Sequence, residues 1–470
     1  MGGVRVVTEL IFHHEASRLP QAAPGVIPVL MYGAGPPGQG CGSIGGPVHT
    51  AVRRLGVGVP ECAHDFLTIA MAVTAADTFV SRETAEGQTE AADGWTRDLR
   101  LRIPLENPAP WQPIRPLLEE ALRFLSADMW TLEFLSNGPC RPSPMRRGAR
   151  IKLDGHDGAC LFSGGLDSAI GVLDLLSAGR RPILVSHSYR GDAGMQERVW
   201  GQLPVDVSRF AANAHPTSNL GYTNDVQMRT RSFNFLAYGT LVAATLAQRG
   251  FVPEPAELIL PENGLIALNP PLTARRIGAL STRTTHPHFL GLMRRLLDEV
   301  GLPVKITTTP YDLRTKGEML QKCADQATLA QIAAKTVSCG KWKRTGRQCG
   351  KCVPCIIRRA SFHAAGMRDL TPYEPDNQNL AAVLPRKEDA DDLMALALAA
   401  SRLATTDIAR WVGRTGPLPR DTNMRQALLD VAHRGMSEVK DYLTSLGLIP
   451  CASLPSISTV TSTSILTPSP

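Results

Sequence analysis

Two stretches of this 470-residue chain combine residue types at spacings that can do chemistry. The first is Ser163-Gly-Gly-Leu-Asp-Ser168, which follows the apolar run Cys160–Phe162 and leads directly into a helical pattern. Glycines let the backbone approach an anion closely, and the amide groups of a helix N-terminus attract negative charge. A strand, a glycine turn and a helix start therefore predict a phosphate-binding loop. The simpler interpretation is a tight turn in which a serine caps the helix.

The loop differs from two common phosphate-binding sequences. It lacks the Gly-Lys-Ser/Thr ending of a Walker loop, and it lacks the Gly-x-Gly-x-x-Gly spacing of a dinucleotide site. The helical pattern behind it has apolar residues at 169, 170, 172, 173, 175 and 176. Gly179 then stands where a C-terminal cap is expected.

The second stretch contains four of the ten cysteines within 17 residues, namely Cys339, Cys349, Cys352 and Cys355. Four thiolates complete the tetrahedral coordination of Zn²⁺, and such a closed site is structural rather than catalytic. A disulfide scaffold would spread its cysteines over the chain instead. The spacing therefore predicts a structural zinc site, with an iron–sulfur cluster or free thiols as the alternatives.

Both stretches resemble parts of one known family. Ser163–Ser168 resembles the PP-loop of the N-type ATP pyrophosphatases. The pattern Cys-x9-Cys-Gly-x-Cys-x-x-Cys-x-x-Arg, which ends at Arg358, resembles the zinc loop (339–358) of the 7-cyano-7-deazaguanine synthases, the QueC family. Arg231-Ser-Phe-Asn-Phe235 resembles that family's Arg-Asn-x-x-Phe segment, although serine replaces the usual second residue. Lys316 stands where a lysine commonly precedes the zinc loop, and the resemblance covers about residues 155 to 368.

The resemblance implies an α/β fold of the PP-loop, adenine nucleotide α-hydrolase-like class. It also implies that ATP activates a 7-deazaguanine-type carboxylate as an acyl-adenylate, with release of pyrophosphate. A nitrogen nucleophile, either ammonia or an amine on a partner protein, would then attack the activated carbonyl. The implied ligands are ATP, Mg²⁺, structural Zn²⁺ and a deazaguanine-like small molecule.

The expected site residues fall into three groups. Those expected to bind ATP are Ser163, Gly164, Gly165, Leu166, Asp167, Ser168, Ser186 and His187. Asp167, Arg231 and Lys316 are the expected catalytic residues, with Asp167 beside Mg²⁺ and the two cations on phosphate or carboxylate. Glu262 and Asn263 follow a strand and are expected to bind the guanine-like base. The alternatives are that Asp167 is only an N-cap, that Arg231 and Lys316 are surface cations, and that Asn263 belongs to an Asn-Gly turn.

Two histidines beside Pro287 are further candidates. His286 and His288 could serve as bases, although a loop histidine more often has no catalytic role.

The rest of the chain predicts further domains. Residues 1–148 predict an α+β domain with no chemical motif, containing an irregular segment at 20–48 and a helix at 65–82 capped by Asp65. Residues 149–370 alternate between strands and helices, which predicts a parallel sheet with helices on both faces. Residues 371–450 predict a helical extension, with 389–404 as its longest element, and 451–470 predict a disordered Ser/Thr/Pro-rich tail.

Composition narrows the functional class. Hydrophobic residues make up 43% of the chain, yet no uncharged apolar stretch is long enough to span a membrane. The N-terminus lacks the pattern of a signal peptide, so the cytoplasm is the expected location. The net charge of +7 permits ATP, an acidic partner or tRNA as ligands without requiring any of them.

Three hypotheses follow for the function. The first is a QueC-like synthase or ligase. Its long layout and the segments 261–271 and 281–287 resemble the QueC-like proteins (QatC) of the four-gene Qat anti-phage systems, which implies protein partners from the same defence operon. The second is a tRNA- or DNA-modifying enzyme, supported by the basic runs 141–150 and 341–347. The third is a nucleotide-binding sensor or scaffold without turnover.

Overall fold

The computed structural model describes residues 7–33, 35–82, 95–189, 191–221, 224, 229–276, 283–342, 346–386 and 389–449. The tail predicted at 451–470 lies outside these residues, as do 281 and 282 of the second segment that resembles the defence proteins.

The N-terminal part of the chain contains five strands and three α-helices among its described residues. The strands are β1 (Val7–His13), β2 (Val26–Met31), β3 (Gly42–Ile44), β4 (Asp98–Pro104) and β5 (Met129–Leu135). The helices are α1 (Val48–Arg53), α2 (Glu61–Phe79) and α3 (Arg115–Ser126).

The central part continues with alternating strands and helices. Its strands are β6 (Ala159–Leu161), β7 (Ile183–His187), β8 (Arg209–Ala212), β9 (Thr217–Ser218), β10 (Ala256–Ile259) and β11 (Val304–Thr307). Its helices are α4 (Leu166–Ser177), α5 (Ala193–Trp200), α6 (Arg231–Gln248), α7 (Gly264–Leu268), α8 (Pro287–Glu299), α9 (Lys316–Lys322), α10 (Gln326–Ile332) and α11 (Val353–Ala364).

The C-terminal part is helical, as predicted. It contains α12 (Asp391–Ser401), α13 (Ile408–Gly413) and α14 (Thr422–Ser445). Short 3₁₀ turns lie at Ala16–Arg18, Ala274–Arg276, Tyr311–Leu313, Ala333–Lys335, Pro375–Asn377, Leu380–Ala382 and Leu403–Thr405. The prediction that 389–404 is the longest element here is wrong, because α14 has 24 residues and α12 has 11.

The N-terminal sheet is parallel from β1 to β5, in the order β5-β4-β1-β2-β3, with the later strand β9 added antiparallel to β3. The predicted α+β class is therefore wrong for this part of the chain. The irregular segment predicted at 20–48 contains β2 and β3, which are short and separated by glycine- and proline-rich turns. Asp65 is also not an N-cap. It lies inside α2, and its carboxylate accepts hydrogen bonds from the amides of Glu106 and Asn107 at 2.8 and 2.9 Å.

The central sheet is entirely parallel and has the order β11-β10-β6-β7-β8. This confirms the predicted parallel sheet. The chain leaves β6 toward β7 on one side and later returns to β10 on the other side, so the strand order reverses between β6 and β10. In sheets of this kind ligands bind beyond the carboxyl ends of the strands at the point of reversal. The glycine loop, defined as Ser163–Ser168, follows β6 at this edge.

Helices cover both faces of the central sheet. Helix α6 packs on one face and also against α2 of the N-terminal part, where the rings of Phe66 and Phe233 meet edge to face at 5.3 Å. Both helices are buried around most of their circumference, as expected for helices placed between two sheets. Helices α4, α9 and α10 pack on the opposite face of the central sheet, and together with residues of that face they form a second apolar core. Residues 136–148, which connect the two sheets, contain no helix or strand, yet the sheets on either side of them share one core.

None of the helices in the described part of the chain is long and apolar enough to cross a membrane.

A buried ionic network joins the N-terminal sheet to the start of α6. The carboxylate of Asp128 pairs with Arg82 and with Arg97, each at 2.7 Å, and Arg97 also pairs with Asp77 at 2.6 Å. Asp77 in turn accepts hydrogen bonds from the amide and hydroxyl of Thr230 at 2.7 and 2.9 Å. Thr230 directly precedes α6, so this network helps to fix where that helix begins.

Replacing Asp128 by alanine should destabilise the protein strongly, because two buried guanidinium groups would lose their shared partner. We expect a loss of about 3–5 kcal/mol in the free energy of unfolding, measured by urea denaturation. Glu133→Ala is the matched control, since its ion pair with Arg102 lies on the surface and is worth at most about 1 kcal/mol. Equal losses in the two variants would contradict this account of the network.

Candidate functional site

The glycine loop leaves β6 and forms the start of α4. Gly164 has φ +76°, a left-handed conformation that favours glycine, and a Cβ atom there would lie 2.7 Å from Sδ of Met195. The hydroxyls of Ser163 and Ser168 lie 3.2 Å apart across the loop, and the amide of Gly165 donates to the Ser163 hydroxyl at 3.2 Å. Helix α4 begins at Leu166, so its first amide groups have no acceptor within the helix. This arrangement can receive an anion.

Asp167 in the first turn of α4 is the centre of a buried polar cluster. Its carboxylate forms an ion pair with the ammonium of Lys316 and accepts a hydrogen bond from the side-chain amide of Asn263 at 2.6 Å. Asp167 also shares a hydrogen bond with the carboxyl group of Glu262. The structure therefore brings together four predicted site residues from three separate parts of the chain.

The charges in this cluster determine where its protons reside. Burial raises the pKa of the Asp167 carboxyl, but the Lys316 ammonium and the hydrogen bonds from Glu262 and Asn263 outweigh it, and the pKa falls below its usual range. Burial and the neighbouring Asp167 charge raise the pKa of Glu262 well above its usual range. Asp167 is thus the ionised member of the pair, and Glu262 is the member that keeps the proton.

Asn263 has the role of a link within the protein. Its side-chain oxygen accepts from the amide of Ile266 at 3.1 Å and caps α7, while its side-chain nitrogen donates to Asp167. The Asn-Gly turn expected as the alternative to base binding is wrong, because Asn263 is the N-cap of α7 and Gly264 is the first residue of that helix. Both ends of the Asn263 amide are bonded inside the protein, and the residue is fully buried. Of the two residues predicted to bind the base, Glu262 is the one whose side chain is only half-buried.

Arg231 lies at the carboxyl end of β7. Its guanidinium pairs with Asp192, approaches Nδ1 of His187 at 3.4 Å and lies over the ring of Tyr189 at 4.8 Å. Arg231 therefore has an acidic partner within the protein and is neither an isolated surface cation nor in contact with the glycine loop. The hydroxyl of Ser186, which precedes His187, donates to the carbonyl of Phe162 at 2.8 Å and ties β7 to β6.

Gln196 connects the glycine loop to the end of β7, and this residue was not predicted from the sequence. Its side-chain nitrogen donates to the carbonyl of Ser163 at 3.3 Å and to the carbonyl of His187 at 3.1 Å. The residue is fully buried on α5. Nothing in its sequence surroundings marks it, because a glutamine in an amphipathic helix usually faces solvent.

The four clustered cysteines meet the requirements of a zinc site. Their sulfur atoms lie within 4.8 Å of one another, and each residue is at most 6% exposed. The sulfurs of Cys339 and Cys352 lie 3.8 Å apart, and those of Cys349 and Cys355 lie 4.0 Å apart. A tetrahedron with Zn–S bonds of about 2.3 Å has edges of about 3.8 Å, so the donor set fits Zn²⁺. Backbone amides donate to the sulfurs of Cys339 and Cys349, as expected around thiolate ligands.

A short chain of hydrogen bonds joins the cysteine cluster to the glycine loop. Gln348, which precedes Cys349, bonds through its side chain to the carbonyl of Thr336 and the amide of Ser338, both at 3.0 Å. Between these two residues, the amide of Val337 donates to the carbonyl of Gly164 at 3.2 Å. The cysteine cluster is therefore positioned to support the glycine loop.

Arg358, the last residue of the cysteine pattern, is fully buried and braces the same segment. Its guanidinium donates to the hydroxyl of Thr371 at 2.8 Å, to that of Thr336 at 2.9 Å and to the carbonyl of Ala333 at 2.6 Å. It therefore has a structural role behind the zinc loop.

The remaining candidates lie elsewhere or have structural partners. His286 is buried, accepts from the amide of His288 at 3.2 Å as the cap of α8, and contacts the Thr415 hydroxyl at 3.0 Å. Burial lowers the pKa of His286 to about 3. His288 packs edge to face against Phe124 at 4.7 Å. Neither contact involves the described residues of the glycine loop or the Asp167 cluster.

The chain is similar over short segments to curated 7-cyano-7-deazaguanine synthases. It is 52% identical over 40 residues to the enzyme of Aromatoleum aromaticum, which is 8% of this chain and 18% of the relative. It is 42% identical over 64 residues to that of Ectopseudomonas mendocina, and 41% identical over 69 residues to that of Sinorhizobium fredii. The last two matches cover 14% and 15% of this chain and 27% of each relative. No protein-family model matches the chain.

Proposed function

We propose that this protein is an AMP-forming, ATP-dependent enzyme of the QueC-like PP-loop class that activates a 7-deazaguanine-type carboxylate. One observation carries the proposal. The glycine loop lies at the strand-order reversal of a parallel sheet and places Asp167 against Lys316, Asn263 and Glu262. The partial similarity to 7-cyano-7-deazaguanine synthases supports the same chemistry.

The proposed reaction has two steps. A carboxylate oxygen of the substrate attacks the α-phosphorus of ATP, the bond to the bridging oxygen breaks, and pyrophosphate leaves. The nitrogen nucleophile then attacks the carbonyl carbon of the acyl-adenylate and loses a proton, and AMP leaves with the oxygen that joined it to the acyl group. Activation is required because a free carboxylate is a poor electrophile.

The protein would promote the first step by position and charge. The amides and hydroxyls of the glycine loop would hold the phosphates, and Lys316 would offset negative charge that develops as pyrophosphate leaves. The half-buried Glu262 is the group we propose to face the deazaguanine base. We assign contact with the adenosine or the substrate carboxylate to His187 and Arg231, which lie together at the end of the neighbouring strand.

Asp167 is the carboxylate that the cluster would offer to Mg²⁺, because it is the ionised member of the Asp167–Glu262 pair. When bound, Mg²⁺ would neutralise charge on the phosphates.

The test is to incubate the protein with ATP, 7-carboxy-7-deazaguanine and an ammonium salt, and to measure pyrophosphate and AMP together. The proposal requires both products to form in equal amounts and to depend on the carboxylate. Formation of ADP and phosphate instead would show cleavage at the γ-phosphorus and would exclude it. A gel-shift titration with tRNA and DNA at low salt distinguishes this function from nucleic-acid modification. We expect no shifted band at any protein concentration, whereas a nucleic-acid-modifying enzyme would shift its substrate.

Gly164→Ala should lower pyrophosphate formation about tenfold or more, because the new methyl group would displace the loop or Met195. Gly179→Ala is the matched control. Gly179 has φ +78°, and among the described residues no atom other than those of its chain neighbours lies within 4 Å of the place where its methyl group would stand. This variant therefore carries the same backbone strain without the collision. Equal losses of activity in both variants would mean that the loop has no special role.

Within this class, we propose that the protein is one of the QueC-like proteins (QatC) of anti-phage defence. It would act in the cytoplasm with protein partners. The same sequence features support it, namely the long N-terminal part, the C-terminal helices and the segment 261–271. The acceptor would then be an amine of a partner protein. The test is to repeat the reaction with the products of neighbouring genes and to measure by mass spectrometry whether one of them gains the acyl group.

A further inference from the structure

Helix α14 of the C-terminal part packs directly behind the Asp167 cluster. Val431, Gly435 and Glu438 lie along one side of this helix, at the spacing of neighbouring turns. A Cβ atom on Gly264 would lie 2.5 Å from Cγ1 of Val431, and one on Gly435 would lie 2.9 Å from Cβ of Leu265. The helix thus approaches the start of α7, next to Asn263, more closely than an added methyl group would allow.

Glu438 extends this contact to the other partner of Asp167. The hydroxyl of Thr315 donates to Oε1 of Glu438, and the amide of Gly317 donates to Oε2 at 3.2 Å. A Cβ atom on Gly317 would lie 2.5 Å from Oε1, so glycine is needed for this approach. Thr315 and Gly317 are the residues on either side of Lys316.

Thr315, which donates to Glu438, also begins the first turn of α9. Thr315 caps this helix by accepting from the amide of Glu318 at 3.0 Å, and the Glu318 carboxylate accepts in return from the amide of Thr315 at 3.0 Å. Arg434 of α14 pairs with Glu318 at 2.7 Å. A carboxylate near a helix N-terminus is also favourable to the helix dipole. Two acidic groups and one cation therefore hold the turn that presents the Lys316 ammonium.

We propose that Glu438 is a positioning residue for Lys316, and that the C-terminal helical part thereby completes the active site. The expected effect of Glu438 on the reaction rate rests on the proposed function. Its expected effect on the position of Lys316 does not. Lys316 is only 7% exposed, and its ammonium pairs with Asp167. A first turn of α9 that is released from Glu438 can rotate this side chain away from Asp167.

The first experiment compares kinetics of Glu438→Ala, Glu438→Gln and the control Asp441→Asn. Asp441 is an exposed acid on the same helix. We expect the kcat for pyrophosphate formation to fall about tenfold in Glu438→Ala with little change in KM for ATP. Glutamine keeps an acceptor for the Gly317 amide and should restore most of kcat, and Asp441→Asn should match the wild type. Losses explained entirely by a smaller folded fraction, with kcat per folded molecule unchanged, would contradict the proposal.

The second experiment needs no turnover. Wild type and the same variants are treated briefly with acetic anhydride, and acetylation of Lys316 is measured by mass spectrometry against Lys322 and Lys335. Glu438→Ala should raise Lys316 labelling about fivefold relative to these references, because the local structure opens more often. Unchanged labelling would overturn the proposal. If the wild type forms no pyrophosphate, the proposed function fails, whereas the labelling ratio still decides whether Glu438 positions Lys316.

Discussion

Asp167→Asn should reduce pyrophosphate formation about a hundred- to a thousandfold, the scale expected when one preorganised charged contact of an active site is removed. Asparagine keeps the size of the side chain but loses the charge that pairs with Lys316. It also leaves Glu262 without the carboxylate that shares its proton. The measurement is the initial rate of pyrophosphate release at saturating ATP.

A matched variant and a double mutant separate catalysis from folding. Asp157→Asn removes a carboxylate that is 41% exposed and paired with Arg180, and it should change the rate less than about twofold. Asp167→Asn combined with Lys316→Met should lose less than the sum of the two single losses in activation free energy, because both act on one pair. Independent, additive losses would contradict the pairing on which the proposed mechanism depends.

Cys355→Ser should remove the metal and weaken the protein. We expect zinc content to fall from one ion per chain to almost none, and the melting temperature to fall by about 10 °C or more, since binding a structural zinc contributes directly to folding. The loss should also raise the KM for ATP, because the hydrogen bonds from Gln348 through Thr336–Ser338 to Gly164 depend on the zinc loop.

Cys140→Ser is the control for this prediction, because that cysteine is exposed and lies outside the cluster. Its zinc content and melting temperature should equal those of the wild type. Metal analysis of the wild type also decides between the two metals that four cysteines can hold. Iron with visible charge-transfer absorption would replace the zinc interpretation with an iron–sulfur cluster.

Local sequence was sufficient where one short segment contains the whole signal. The glycine loop, the cysteine spacing and the alternation of strands and helices after residue 150 all predicted features that the structure contains. Gly179 is an example at single-residue scale, since its predicted place after α4 agrees with its φ of +78°. Such features depend on backbone conformation or on ligand spacing, which neighbouring residues determine.

Local sequence failed where the outcome depends on distant partners. Strand β3 has three residues and becomes a strand because β2 and β9 lie beside it. Asp65 has the residue type of a helix cap, but it bonds to amides of Glu106 and Asn107 that are 41 and 42 positions away. Glu438 is 123 positions from Thr315. No pattern within a helical window reveals these contacts, because they exist only after the sheets and helices have packed.

The most direct test of the central claim follows an oxygen atom. The enzyme is incubated with ATP, an ammonium salt and 7-carboxy-7-deazaguanine whose carboxylate carries ¹⁸O at both oxygens, and the AMP formed is analysed by mass spectrometry. If the Asp167 cluster and the glycine loop promote attack of the carboxylate on the α-phosphorus, each AMP should contain one ¹⁸O atom. AMP without ¹⁸O, or no AMP above the level of Asp167→Asn, would contradict the proposed mechanism.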